Sequence, residues 1–163
     1  RHFPAINWLT SYSLYLDSVK EWWHKNVGKD WYGLRQNAMH LLQIESELEE
    51  IVRLVGLEAL SANDRLVLEV ARSLREDFLY QNAFHDVDTY ASSRKQYLIL
   101  KAIMSYYTYA KKALERGMDF EKVVEMPFME KVAKARLVAE EEFDAYYQAM
   151  TDEMVDHFEK LSL

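Results

Sequence analysis

"EIVRLVGLEALSANDRLVLEV", residues 50 to 70, carries the pattern on which the fold turns. Apolar residues recur at helical spacing on both sides of a short link. Gly56 stands where a left-handed C′ residue would end the first helix, and Ser61 stands where an N-cap would open the second. Asp64, three residues beyond Ser61, imitates a capping box with Asp in place of the usual Glu. The stretch predicts two helices joined by a tight turn. Leu57 and Leu60 are apolar in a link that solvent alone would leave polar.

Upstream, Asp30 is placed to N-cap a long helix whose apolar positions include Ala38, Leu41, Leu48, Ile51 and Val55. Downstream, Val67, Val70, Leu74 and Phe78 form one stripe of the second helix. An irregular patch, "QNAFHDVDTY", covers 81–90, after which Ser92 or Ser93 caps a helix ending at Arg116, before Gly117. Pro127 interrupts the stretch beyond Gly117, and a last amphipathic helix spans about Glu140 to Lys160. The tyrosines of "MSYYTYA" sit inside a helix, where they read as core aromatics. At the front, "RHFPAINW" has no helical period and Pro4 keeps Phe3 out of helical geometry, which predicts a strand or extended segment. A short helix is expected next, from about Leu16 to His24, stopped near Gly28. The fold class expected is all-α, a helical bundle with a short extended N-terminal segment.

Composition narrows the function classes. A chain of 163 residues fits one domain, or one domain with a fragment of another, and can bury roughly 70% of its unfolded surface. The net charge of −7 argues against a phosphate backbone as partner, so no nucleic acid is expected. Cysteine is absent, which excludes disulfides and thiolate metal sites. No apolar run approaches the roughly 20 residues that cross a bilayer, so direct membrane insertion is not expected. The start at Arg1, without a methionine, reads as a piece of something longer.

Catalytic and metal patterns are sparse. Glu21 and His24 have the Glu-x-x-His spacing that puts two ligands on one helix face, but a di-iron bundle needs a second copy and two more carboxylates. Glu153 and His157 share a face in the same way and are weaker still. The sequence holds no phosphate-binding loop, no dinucleotide fingerprint and no nucleophile elbow. "IESELEEI" reads as a solvated acidic face. No catalytic residue and no metal ligand is expected in this chain.

Three stretches, "RHFPAINWLTSYSLY", "EIVRLVGLEALSANDRL" and "REDFLYQNAFHDVDTY", occur in this order and spacing. Together they closely resemble the C-terminal part of the catalytic A subunit of archaeal and vacuolar-type rotary ATP synthases. The resemblance covers residues 1 to about 125 well and the last helices more loosely. It implies that residues 1–10 are the edge of a P-loop nucleotide-binding domain and that 11–163 are the C-terminal helical bundle. It also accounts for the missing phosphate loop: ATP or ADP with magnesium would be held only in the intact subunit, and this piece alone should not hydrolyse ATP.

The resemblance further assigns two sets of residues. Phe3, Phe84 and Tyr90 fall on aromatics that wall the adenine pocket, where stacking on a purine is worth about 1–3 kcal/mol. Leu57, Glu58, Ala59, Leu60, Ser61, Ala62, Asn63 and Asp64 fall on the link that pushes on the central stalk. In the F-type relatives this link reads "GMDELSEEDR". Here Gly56, Leu60, Ser61, Asp64 and Arg65 are kept while only Glu58 and Asp64 remain acidic, so shape is expected to matter more than charge. The implied partners are B-type subunits, alternating with A subunits in a hexamer, and the central stalk subunits, in a cytoplasmic sector peripheral to the cell membrane. A free-standing helical adaptor, binding a partner through an aromatic face, is the alternative reading; a phosphate loop encoded just before Arg1 would remove it.

Overall fold

The computed structural model describes residues 25, 27–79 and 92–162. The chain is all-α, with no strand among the described residues. Helix α1 spans Trp31–Val55, a 3₁₀ turn comes next at Leu57–Ala59, and α2 spans Ala62–Ser73. A π turn, Leu74–Leu79, continues from α2. Then come α3 (Ser93–Glu115), the single turn α4 (Phe120–Val123), α5 (Phe128–Ala135) and α6 (Glu140–Leu161). The extended segment and short helix expected before Gly28 lie outside the described residues, as does the patch at 81–90.

Helix α3 is the hub, packing against α1, α2, α5 and α6. Its Leu100, Ile103, Tyr106 and Ala110 are buried on successive turns, meeting Val67 and Val70 of α2 on one side and Phe143 and Phe158 of α6 on the other within one apolar cluster. Tyr106 stacks on Phe128 of α5, ring centroids 4.7 Å apart and nearly parallel. Burial, helped by the negative charge of Glu69, pushes the Tyr106 phenol up to about 12. Of the "MSYYTYA" tyrosines, Tyr106 is thus a core residue, Tyr107 is half-buried and Tyr109 is largely exposed.

The helix ends obey local chemistry. Ser92 accepts from the Lys95 amide, which settles the start of α3. Its far end is a Schellman closure: Met118 N–H reaches Ala113 C=O, Gly117 N–H reaches Leu114 C=O, and Gly117 takes φ +86°. Two expectations are corrected. Asp30 occupies the N-cap position of α1 but makes no capping bond. Its carboxylate instead accepts from the Tyr97 hydroxyl at 2.5 Å and lies 3.3 Å from Lys101 Nζ. Ile51 and Val55, expected on the buried stripe of α1, are exposed, because α1 runs on past the part that Ala38, Leu41 and Leu48 pack.

Candidate functional site

The link between α1 and α2 forms one exposed end of the bundle. Gly56 takes φ 89°, ψ 163°, a region open in practice to glycine alone, rather than the left-handed helical geometry expected. Its N–H still closes on Val52 C=O at 2.8 Å. The chain then makes the 3₁₀ turn, and Leu60 N–H returns to Leu57 C=O at 3.1 Å.

Ser61 opens α2 as expected: its Oγ accepts from the Asp64 amide at 3.2 Å. The reciprocal half of the box differs. The shorter Asp64 side chain accepts the Ser61 hydroxyl at 2.8 Å, so the carboxylate is already engaged at the helix N-terminus, where negative charge is favoured.

The eight residues expected to bear on a stalk are brought together here. Leu57, Glu58, Ala59, Ser61, Ala62 and Asn63 are exposed, while Leu60 and Asp64 are half-buried. Leu60 packs on the core cluster and so pins the turn to the bundle. Arg65, kept in the link, reaches across to α4: its guanidinium lies 4.2 Å above the Phe120 ring, with Nη1 3.6 Å from Glu121.

The other half of this surface is one that, Leu57 apart, sequence reasoning misses. Ile51 is 44% exposed, Leu54 81%, Val55 63% and Leu57 48%, so the last turns of α1 and the start of the link present contiguous large apolar side chains to solvent. The signal is there as apolar residues running up to Gly56, but periodicity alone assigns them to the core.

A second region gathers polar contacts around the two ends of 80–91. On its N-terminal side, the Ser73 hydroxyl donates to Asp77 at 2.8 Å, and Arg75 grips the buried Glu45 of α1. Arg136 Nη1 donates to Glu76 C=O at 2.8 Å. On the C-terminal side, Glu140 accepts from the Ser92 amide at 3.1 Å and from its hydroxyl at 3.0 Å. Lys95, fully buried, donates from Nζ to Arg136 C=O at 2.8 Å and Val138 C=O at 2.5 Å. Phe3, Phe84 and Tyr90, expected at an adenine, lie outside the described residues, as do Glu21 and His24.

Among the described residues no group of three or more His, Asp or Glu side chains is placed to hold a metal ion. Glu153 and His157 turn to other partners: Glu153 pairs with Lys131, and His157 Nε2 lies 3.1 Å from Val123 C=O. No helix among the described residues is long and apolar enough to cross a membrane.

Residues 20–124 match the family described as the C-terminal domain of V and A type ATP synthase. The chain is 60% identical over 146 residues to a V-type ATP synthase alpha chain of Thermoanaerobacter pseudethanolicus, covering 90% of this chain and 25% of that protein. It is 51% identical over 161 residues to the V-type ATP synthase alpha chain of Acetivibrio thermocellus, covering 99% of this chain and 27% of the other. With the A subunit of the A-type ATP synthase of Staphylothermus marinus the identity is 49% over 161 residues, with the same coverages of 99% and 27%. The chain therefore spans about a quarter of the length of these relatives.

Proposed function

The chain belongs to the family of C-terminal domains of V and A type ATP synthases, and from that premise we propose that it works inside a longer catalytic subunit, walling the adenine pocket and bearing on a central rotor stalk. The observation that carries the second role is the exposed apolar surface of Ile51, Leu54, Val55 and Leu57 beside a turn fixed by Gly56, Leu60 and Ser61. Covering one such side chain is worth about 1.5–3 kcal/mol before the costs of association. Glu58 is the one exposed acid of the turn, since Asp64 is engaged with Ser61. The turn then transmits force by shape, as packed elements shift between discrete arrangements.

The adenine role rests on Phe3, Phe84 and Tyr90, whose aromatic faces would stack on the base and leave phosphate and magnesium to the P-loop domain of the whole protein. ATP and ADP, sharing one adenine, would then be held by the same stack. In the parent enzyme the catalytic subunits would alternate with B-type subunits in a hexamer peripheral to the membrane. No observation favours the free-standing adaptor.

The test is single-molecule rotation of the assembled enzyme under viscous load. Glu58→Gln should turn almost normally, while deletion of residues 58–62 should lower torque or uncouple hydrolysis from rotation. A stalled Glu58→Gln motor beside a normal deletion variant would overturn the shape reading in favour of an electrostatic contact.

A further inference from the structure

Arg65 stands one turn into α2, where its N–H closes on Ser61 C=O at 3.0 Å and completes the first turn of the helix. A cation there gains nothing from the helix dipole, which favours negative charge at this end. Its side chain, 35% exposed, finds a partner on the single turn α4 instead. The guanidinium sits 4.2 Å above the Phe120 ring, with Nη1 3.6 Å from Glu121. The Glu121 carboxylate is 76% exposed, so the ion pair contributes little and the ring carries the contact.

The turn beside Arg65 is supported unevenly. Every residue of α1 beyond Leu48 is exposed or half-buried, so the last turns of that helix have little beneath them. On the α2 side Leu60 packs on the core, and Leu66 and Val67 are buried. The turn α4 is itself well seated. Phe120 packs on the core cluster, Val123 is fully buried, and the Val123 carbonyl lies 3.1 Å from His157 Nε2 of α6. The Schellman closure at Gly117 ties the same stretch to the end of α3. From this asymmetry we infer, resting on the stalk reading above, that Arg65 is a positioning residue for rotor contact. It braces the base of α2 against α4, so that a load on the turn passes into α3 and α6 rather than bending the turn. The contact suits that role. A planar guanidinium lies flat on an aromatic face without the narrow angles a hydrogen bond demands, so it persists through small displacements.

The experiment uses the assembled enzyme and reads stall torque separately from hydrolysis without load. Arg65→Ala should stall at a clearly lower load, with unloaded hydrolysis within about twofold of the parent. Phe120→Leu, which keeps an apolar side chain but removes the ring face, should do the same. The double variant should be little worse than either single one, because both changes remove one contact, whereas independent losses would add. Arg65→Lys keeps a cation for the ring and should recover part of the torque. Lys131→Ala breaks a tie between α5 and α6 that does not involve the turn, and should keep full torque. Torque lost in Arg65→Ala but kept in Phe120→Leu would mean that Arg65 touches the stalk itself. An equal loss in Lys131→Ala would mean a general loosening of the bundle. Either result overturns the brace. If Leu54→Ser, Val55→Ser and Leu57→Ser combined lose torque while Arg65→Ala keeps it, the brace is wrong and the stalk reading stands. If the combined variant keeps full torque, the stalk reading fails and the brace fails with it.

Discussion

The guanidinium of Arg75 clasps the carboxylate of Glu45, Nε lying 3.1 and 3.0 Å from its two oxygens and Nη2 2.8 Å from one of them. The pair joins α1 to the π turn after α2, and the two sides are unequal: Glu45 is 5% exposed, while Arg75 is half-buried. The charge-assisted bonds to Glu45, ahead of the opposing effect of burial, hold the Arg75 pKa above its usual value. Arg75→Ala strands the carboxylate inside the bundle and should cost about 2–3 kcal/mol by denaturant unfolding. The double change Arg75→Leu with Glu45→Met should cost clearly less than that. Equal losses would mean that packing, and not a stranded charge, sets the penalty.

The turn offers a comparison of glycines. A Cβ at Gly56 would meet nothing within 4 Å, yet its φ of +89° is hostile to side chains. Gly56→Ala should therefore destabilise the chain by about 1–2 kcal/mol through backbone strain alone. Gly33, inside α1 with equally open surroundings, should respond with the opposite sign, Gly33→Ala gaining about 0.5–1 kcal/mol. Ser61→Ala should cost about 1 kcal/mol by removing the cap of α2. Thermal or denaturant unfolding of the three variants checks all of these signs.

Asp77 gives the chain a pH dependence. Burial raises its carboxyl above 3.8, with Glu76 adding to the rise, while the Ser73 hydroxyl and the charges of Arg136 and Arg72 oppose it. The folded state then holds this proton more tightly than the unfolded state. Its favourable contribution is complete below about 3.8 and is lost as pH climbs through the raised folded value. Asp77→Asn keeps an acceptor for Ser73 and has no proton to lose. Relative to the parent, its unfolding free energy should improve between about pH 4 and pH 7. Parallel curves for the two proteins would contradict this.

What the sequence made legible was local. Ser61, Ser92 and Gly117 mark helix ends because a cap is decided within three or four residues, and each took the expected place. Asp30 failed as a cap for a reason 67 residues away: Tyr97 and Lys101 take its carboxylate, and their bonds and charge lower its pKa although burial opposes them. Burial of Glu45 and Lys95 was equally invisible, since the partners that make it tolerable, Arg75 and the carbonyls past α5, come from other elements. The π turn at Leu74–Leu79 departs from a helical stripe that looks regular through Phe78. At the candidate site, position and caps were readable from the link itself. The apolar surface of Ile51, Leu54 and Val55 beside Leu57 was not, because periodicity says which residues share a face and not whether another helix covers it.

The central claim is that the end of α1 and its turn act on a partner through apolar shape. Stall torque of the assembled enzyme measures it most directly, with Leu54→Ser, Val55→Ser and Leu57→Ser combined in one variant and set against Glu58→Gln. All four side chains are exposed, so neither variant should disturb the core. The triple variant should lose a large share of its torque, or hydrolyse ATP without turning, while Glu58→Gln keeps nearly all of it. Full torque in the triple variant together with loss in Glu58→Gln would contradict the claim.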